Sequence, residues 1–254
     1  MDIMNKRPLI LAIETSSRVG SVAIAFGERF INQTTFSGVM RHSAELFPSI
    51  DNLMKSINRK PCDIEHLYIS VGPGSFTGLR IAATLAKTMH LANSVKIIAV
   101  DTLDVIAANV ADFIKDDEME TYNSNRSKIP VRRFATVLDA KRGQFFISIY
   151  NRIHKATDVQ NEKVVPDSLM TASQFITQYN CSRNPVGLLG DGLVYHKDQF
   201  QAEGVLFLSE KYWSPQASKV HILGWELAQK QQFSDPVNLK PFYLCRPEIK
   251  IKTH

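Results

Sequence analysis

Apolar and polar positions fall into blocks of clear period along the first hundred residues. Leu9-Ile-Leu-Ala-Ile13 is an unbroken apolar run, the pattern of a strand buried on both faces, and the polar stretch from Glu14 to Gly20 ends it in a turn. Ser21 to Phe26 predicts a second strand, Gly27-Glu28 a tight turn, and Arg29 to Phe36 a third strand with partial alternation, so the chain opens as a three-stranded meander. A helical period follows. Leu46, Ile50, Leu53 and Ile57 recur at i, i+4, i+7 and i+11, with Phe47 and Met54 beside the stripe, which predicts a helix over about 43–58. Ser43 suits its N-cap, and Pro48 should bend its start. Leu67 to Val71 predicts a strand, followed by a glycine-rich loop and a helix over about 79–93. Val95 to Val100 predicts the next strand, and Thr102-Leu-Asp opens a helix that runs to Ile114.

From Lys115 to Arg133 the periods vanish. Asp116, Asp117, Glu118 and Glu120 give way to Arg126, Lys128, Arg132 and Arg133, the composition of an exposed charged loop near a domain boundary. The second half then repeats the opening. Phe134-Ala-Thr-Val-Leu138 ends in Asp139, a short turn closes at Gly143, and Gln144 to Tyr150 forms the next strand; Ala12-Ile-Glu14 stands in the same relation to Gly20 and Ser21 to Phe26. Strand, carboxylate, glycine turn and strand occur twice, which predicts a duplicated α/β fold of two related domains, 1–105 and 106–254. Further on, the pattern predicts a weak helix at 171–179, a strand at Val186 to Leu189 with a Gly190-Asp-Gly192 turn, a strand at Val205 to Leu208 and a helix over about 214–232. That last helix is free to pack back on the first domain. The final fourteen residues read as an extended basic tail.

Totals narrow the function classes. At about 150 residues per domain, 254 residues make one large or two small domains. Hydrophobic residues at 44% and charged residues at 22% exclude a disordered or fibrous chain. No opening run approaches the ~20 residues of a membrane span, and none resembles a signal peptide, so we expect a cytoplasmic protein without a membrane partner. Cys62, Cys181 and Cys245 lie far apart, which fits a reducing compartment and argues against a disulfide framework or zinc ribbon. A net charge of +5 permits a polyanionic partner without requiring one.

Two stretches can carry chemistry. Gly72-Pro-Gly74-Ser-Phe-Thr-Gly78 lies between a strand and a helix, where backbone amides, the hydroxyls of Ser75 and Thr77, and Arg80 can meet a phosphate. It is neither a Walker A loop nor a dinucleotide fingerprint, and a tight turn that needs positive φ explains it equally well. Glu14-Thr15-Ser16 and Asp139 end equivalent strands of the two repeats. Facing each other across a cleft, they would hold hydrated Mg²⁺ beside nucleotide phosphates; taken singly, each carboxylate simply caps its own turn. The seven histidines include no H-x-x-x-H or H-E-x-x-H pair, so no helical metal site can be proposed; no G-x-S-x-G elbow is present, and no convincing catalytic set is found. The helices carry a different signal. Ile81, Leu85, Met89 and Ala92 form one face of the second helix and Ala82, Ala83 and Ala86 an adjoining one, more apolar circumference than a sheet-covering helix needs.

Several of these stretches resemble the TsaB (YeaZ) family. Ile10-Leu-Ala-Ile-Glu-Thr-Ser16 resembles the family's first strand and turn, and His42-Ser-Ala-Glu-Leu-Phe-Pro48 its first-helix motif. Gly72-Pro-Gly-Ser-Phe-Thr-Gly-Leu-Arg80 is similar to its most specific signature, Asp139-Ala-Lys-Arg142 to the opening of its second domain, and Pro241-Phe-Tyr-Leu-Cys-Arg246 to its ending. The matches are dense over 8–105 and thin beyond, with 115–133 as an insertion. The resemblance implies an actin/Hsp70/sugar-kinase-like (ribonuclease H-like) duplicated fold, with mixed sheets flanked by helices. It implies a non-catalytic subunit of the machinery that installs N6-threonylcarbamoyl on adenosine 37 of tRNAs reading ANN codons. Such a subunit pairs with the TsaD transferase, is joined by the TsaE ATPase, meets tRNA indirectly, and homodimerises when alone. Carried over by residue, the partner interface is Leu46, Ile50, Leu53, Met54, Ile57, Leu85 and Met89. Glu14, Thr15, Ser16, Gly72, Gly74, Ser75, Thr77, Arg80 and Asp139 become a vestigial nucleotide or phosphate site, with no resident cofactor expected and room left for a nucleotide in the complex. Two alternatives stand beside this reading. One is an enzyme working in the interdomain cleft, either a nucleotide phosphohydrolase or an M22-type peptidase. The other is a tRNA-binding module using Lys240, Arg246, Lys250, Lys252 and the basic half of the 115–133 loop.

Overall fold

Every residue of strand β1 (Leu9–Glu14) is buried, as its unbroken apolar sequence requires. The computed structural model to which it belongs describes residues 7–37, 42–110, 120–122, 128–155 and 158–242. Around β1 the opening half builds a sheet from β2 (Val19–Phe26), β3 (Arg29–Ser37), β4 (His66–Ser70) and β5 (Lys96–Val100), in the order β3-β2-β1-β4-β5. The first three strands pair antiparallel as the predicted meander, while β4 and β5 join in parallel through helices α1 (His42–Ser56) and α2 (Phe76–Asn93).

The second half repeats this plan. Strands β8 (Arg133–Lys141), β9 (Gln144–Lys155), β10 (Asp158–Met170), β11 (Val186–Leu189) and β12 (Val205–Phe207) follow the order β10-β9-β8-β11-β12, with the same alternation of antiparallel and parallel pairs. The duplication read from the strand–carboxylate–turn–strand pattern is therefore present in the topology. Strands β6 (Glu120–Tyr122) and β7 (Lys128–Pro130) pair antiparallel, so the described part of the charged stretch forms a small hairpin. The rest of that stretch, and the tail beyond residue 242, lie outside the described residues.

Alternation along β1 and its neighbours explains how both faces of the first sheet are covered. Leu9, Leu11, Ile13, Val22 and Ile24 form one core with Leu46, Ile50, Leu53 and Met54 of α1 and Ala82, Ala83 and Ala86 of α2. Ile10, Ala12, Ala23 and Ala25 face the other way, against Val105 of α3 (Thr102–Ala107) and Ala217, Val220 and Ala228 of α5 (Ala217–Gln229). The last helix has thus returned to the first sheet. Gly224 makes the approach close, since a Cβ there would lie 2.4 Å from the Tyr68 ring. Helix α3 serves both halves, because Leu103 and Ile106 enter the core of the second sheet with Phe134, Ile147, Ile149 and Phe175 of α4 (Ala172–Tyr179). Beyond α5 the chain runs along the first domain: Ser234 N donates to Ile97 O at 2.8 Å, Leu239 is buried, and Phe242 N donates to Val71 O at 2.6 Å.

Strand β10 is the element that periodicity misses. Its sequence is polar on both faces, contains Pro166, and slips register twice between Lys163 and Ser168, as an edge strand can because one side has no ladder to complete. Helix α3 is also shorter than expected, ending at Ala107 where the pattern runs on to Ile114.

Candidate partner-binding face and the closed cleft

Helix α2 begins directly at the glycine-rich loop, with Ser75 as N-cap accepting a hydrogen bond from Gly78 N at 3.3 Å. The loop lies flat against the turn that follows β1. Ser75 N donates to Ser16 O at 2.6 Å, and Thr15 Oγ1 donates to Gly78 O at 2.8 Å. A Cβ at Gly78 would stand 1.8 Å from Thr15 O, and one at Gly74 2.3 Å from Ser16 O. The glycines are therefore required by backbone-to-backbone approach, and a phosphate has no room between loop and turn.

Glu14 is fully buried. Its carboxylate accepts from Ser16 N at 2.6 Å and from the hydroxyls of Ser16 and Ser70. Burial pushes its pKa up, and the serine hydrogen bonds oppose that rise. Asp139, at the equivalent strand end of the second domain, accepts from Lys141 N at 2.7 Å and Lys141 Nζ at 2.6 Å, with His196 Nε2 at 3.8 Å. Partial burial raises its pKa, but Lys141 and His196 outweigh that and hold it below the usual carboxylate range. Glu14 is thus held by Ser16 of its own turn and by Ser70 of β4, and Asp139 by Lys141 of its own turn, so each carboxylate is already engaged by the residues around it. Among the described residues, no group of three His, Cys, Asp or Glu side chains is placed to hold a metal ion.

The residue that reaches across is Asp191, from a sequence that reads as an ordinary Asp-Gly turn. It lies in a short 3-10 turn, Asp191–Leu193, and its Oδ2 accepts from Ser17 Oγ at 2.8 Å and Arg18 N at 3.4 Å. The Arg18 guanidinium stacks 4.5 Å from the centroid of the Tyr195 ring, closing the same seam. A second bridge is electrostatic. Lys163 Nζ of β10 lies 2.8 Å from Asp104 and Asp167 and 3.7 Å from Asp101, and Tyr150 Oη donates to Asp104 at 2.8 Å.

On the outer side of α1 and α2 the chain presents a groove of about 500 Å³, lined by Phe47, Phe76, Thr77, Arg80, Ile81, Thr84, Leu85 and Thr88. Phe47 is 55% exposed and Phe76 36%. This corrects the residues expected at an interface. Leu46, Ile50, Leu53 and Met54 are buried against the sheet because the stripe of α1 must cover its own core first. Ile57 and Met89 are partly buried against that same core. Leu85 alone of the seven lines the groove. Thr77 and Arg80, expected beside a phosphate, line it too, and Arg80 stacks 3.7 Å from the centroid of the Phe76 ring. Phe47, noted beside the main stripe, was the visible signal of this outer face.

Known proteins resemble this chain in sequence and in fold. The family model described as "TsaD: tRNA N6-adenosine threonylcarbamoyltransferase" matches residues 26–174, more than half of the chain. TsaB of Bacillus subtilis (strain 168), a "tRNA threonylcarbamoyladenosine biosynthesis protein", is 27% identical over 247 residues, covering 96% of both chains. The chain belongs to the TsaB/YeaZ group of the TsaD family. TsaB of Escherichia coli (strain K12) is 26% identical over 143 residues, 56% of this chain and 55% of that one. YeaZ from Pseudomonas aeruginosa superposes with a TM-score of 0.71 at 18% identity, over 93% of this chain and 100% of that one, so the two share the fold. The duplicated plan of two five-stranded sheets is the architecture of this chain, and its fold is shared with YeaZ.

Proposed function

We propose that this chain is a subunit of the tRNA threonylcarbamoyladenosine machinery that works by docking the TsaD transferase subunit along the exposed sides of α1 and α2. The observation that carries the reading is the apolar groove lined by Phe47, Phe76, Ile81 and Leu85, in which Phe47 and Phe76 are exposed while Ile81 and Leu85 rest partly buried on the core. In this reading the contribution is a free energy of association that stabilises the competent arrangement of another chain's active site. The ATPase subunit TsaE and tRNA join the assembly, and a weaker self-association through the same face occurs when the transferase is absent. The phosphohydrolase alternative loses its support where Thr15 and Ser16 pack on Gly78 and Gly74, and where the carboxylates are engaged, Glu14 by Ser16 and Ser70 and Asp139 by Lys141.

Size-exclusion chromatography with light scattering tests the reading, using this chain mixed with TsaD of the same organism. A one-to-one complex is expected for the wild type and none for Ile81→Glu/Leu85→Glu, with unchanged circular dichroism. A complex indifferent to those two charges would remove the groove from the interface and make a nucleotide-turnover assay with Glu14→Ala the next measurement.

A further inference from the structure

We infer that this groove chooses its occupant by charge: it takes an apolar helix of a different chain carrying a carboxylate opposite Arg80, and Arg80 disfavours a second copy of this chain. The inference rests on the reading of the α1/α2 face as the docking surface. Seven of the lining residues, from Phe76 to Thr88, recur along α2 as one stripe, about 18 Å long at 1.5 Å per residue. That is three turns of a helix laid alongside, and a helix in an apolar groove is a recurrent mode of recognition. Thr77, Thr84 and Thr88 are exposed and short, so they let an opposing backbone approach, while Phe47, Ile81 and Leu85 supply the apolar contact.

The groove holds one charge. Arg80 is exposed, no acidic residue occurs in α2, and none of the lining residues is acidic. Asp51 of α1 is paired with Lys55 at 2.6 Å, and among the described residues no carboxylate pairs with Arg80. The Arg80 guanidinium carbon lies 3.7 Å from the centroid of the Phe76 ring, and a guanidinium so placed is suited to a planar carboxylate partner. Two copies meeting across a two-fold axis would place the groove against itself. Both guanidinium groups would then enter the same patch, whose lining residues include no carboxylate to offset them, and like charges brought together on desolvation oppose association. A different chain with an acidic side chain meets no such opposition.

The test measures two associations for each variant: the dissociation constant for TsaD of the same organism by calorimetry, and self-association by sedimentation. Arg80→Ala is expected to weaken the complex with TsaD by about tenfold or more while self-association stays equal or tightens. The two effects therefore part in direction. Weakening of both associations would make Arg80 a general contact and overturn the charge selection, as would an unchanged or tighter affinity for TsaD. Leu85→Glu separates this from the parent reading. If it leaves the TsaD complex intact while the chain remains folded by circular dichroism, the docking face itself is wrong, whatever Arg80→Ala does.

Discussion

Gly78 and Glu14 show how single residues decide what the cleft can be. Gly78 sits in the first turn of α2 where a Cβ would meet the carbonyl of Thr15, a backbone atom that cannot swing aside as a side chain would. Gly78→Ala is therefore expected to destabilise the chain by about 1–3 kcal/mol, the range for overpacking, read as a lowered urea midpoint. Thr88→Ala on the exposed side of the same helix should shift it little. Both residues are legible as a glycine-loop motif and a strand-ending carboxylate. Their meaning was not, because a glycine that admits a phosphate and one that admits a neighbouring carbonyl have the same local pattern.

At the scale of elements, the packing of helices on sheets sorts side chains that periodicity leaves unsorted. Helix α1 has an inward stripe and an outward flank. Only the sheet beneath it decides that Leu46, Ile50, Leu53 and Met54 are core while Phe47 is surface. The junction of α3 with the β9–β10 hairpin carries a different consequence. Asp101 caps α3 through Leu103 N at 2.7 Å and Asp104 N at 3.2 Å. Burial first, then its hydrogen bond to Asp167, pushes its carboxyl up to about 8, against the pull of Lys163. The folded state then binds a proton that the unfolded chain releases near pH 4. The corresponding stability is fully present below that pH and is lost as pH rises through about 8. Urea unfolding at several pH values should show wild-type stability falling from pH 5 to 8 more steeply than that of Asp101→Asn, which keeps a capping oxygen but does not titrate. Parallel pH profiles for the two proteins would contradict this.

Across the whole molecule, the joints between two copies of one five-stranded plan include α3 shared by both cores, α5 on the back of the first sheet, the Lys163 cluster, and the Ser17–Asp191 contact. The last is the one that crosses the cleft mouth. Asp191→Ala leaves Ser17 Oγ and Arg18 N without their acceptor. Amide exchange at Arg18 is expected to quicken, with a stability loss of about 1 kcal/mol, and mass-resolved hydrogen exchange reports both. Unchanged exchange at that turn would mean that Asp191 does not hold the domains.

Local spacing of apolar side chains carried most of the secondary structure of both halves; it missed the polar edge strand β10 and the short β6–β7 pair and overran the end of α3. The repeated strand–carboxylate–turn–strand unit carried the duplication, and the motif residues carried the family. These are properties of neighbours along the chain, and burial acts on them wherever the chain is placed. Tertiary structure alone decided that the loop closes on the turn, that Asp191 rather than Asp139 meets the first domain, and which flank of α1 and α2 stays open. Those outcomes are distances between residues such as Thr15 and Gly78, 63 positions apart, or Ser17 and Asp191, 174 apart. No local pattern encodes such distances, because they are set only when both sheets and the returning α5 are packed together.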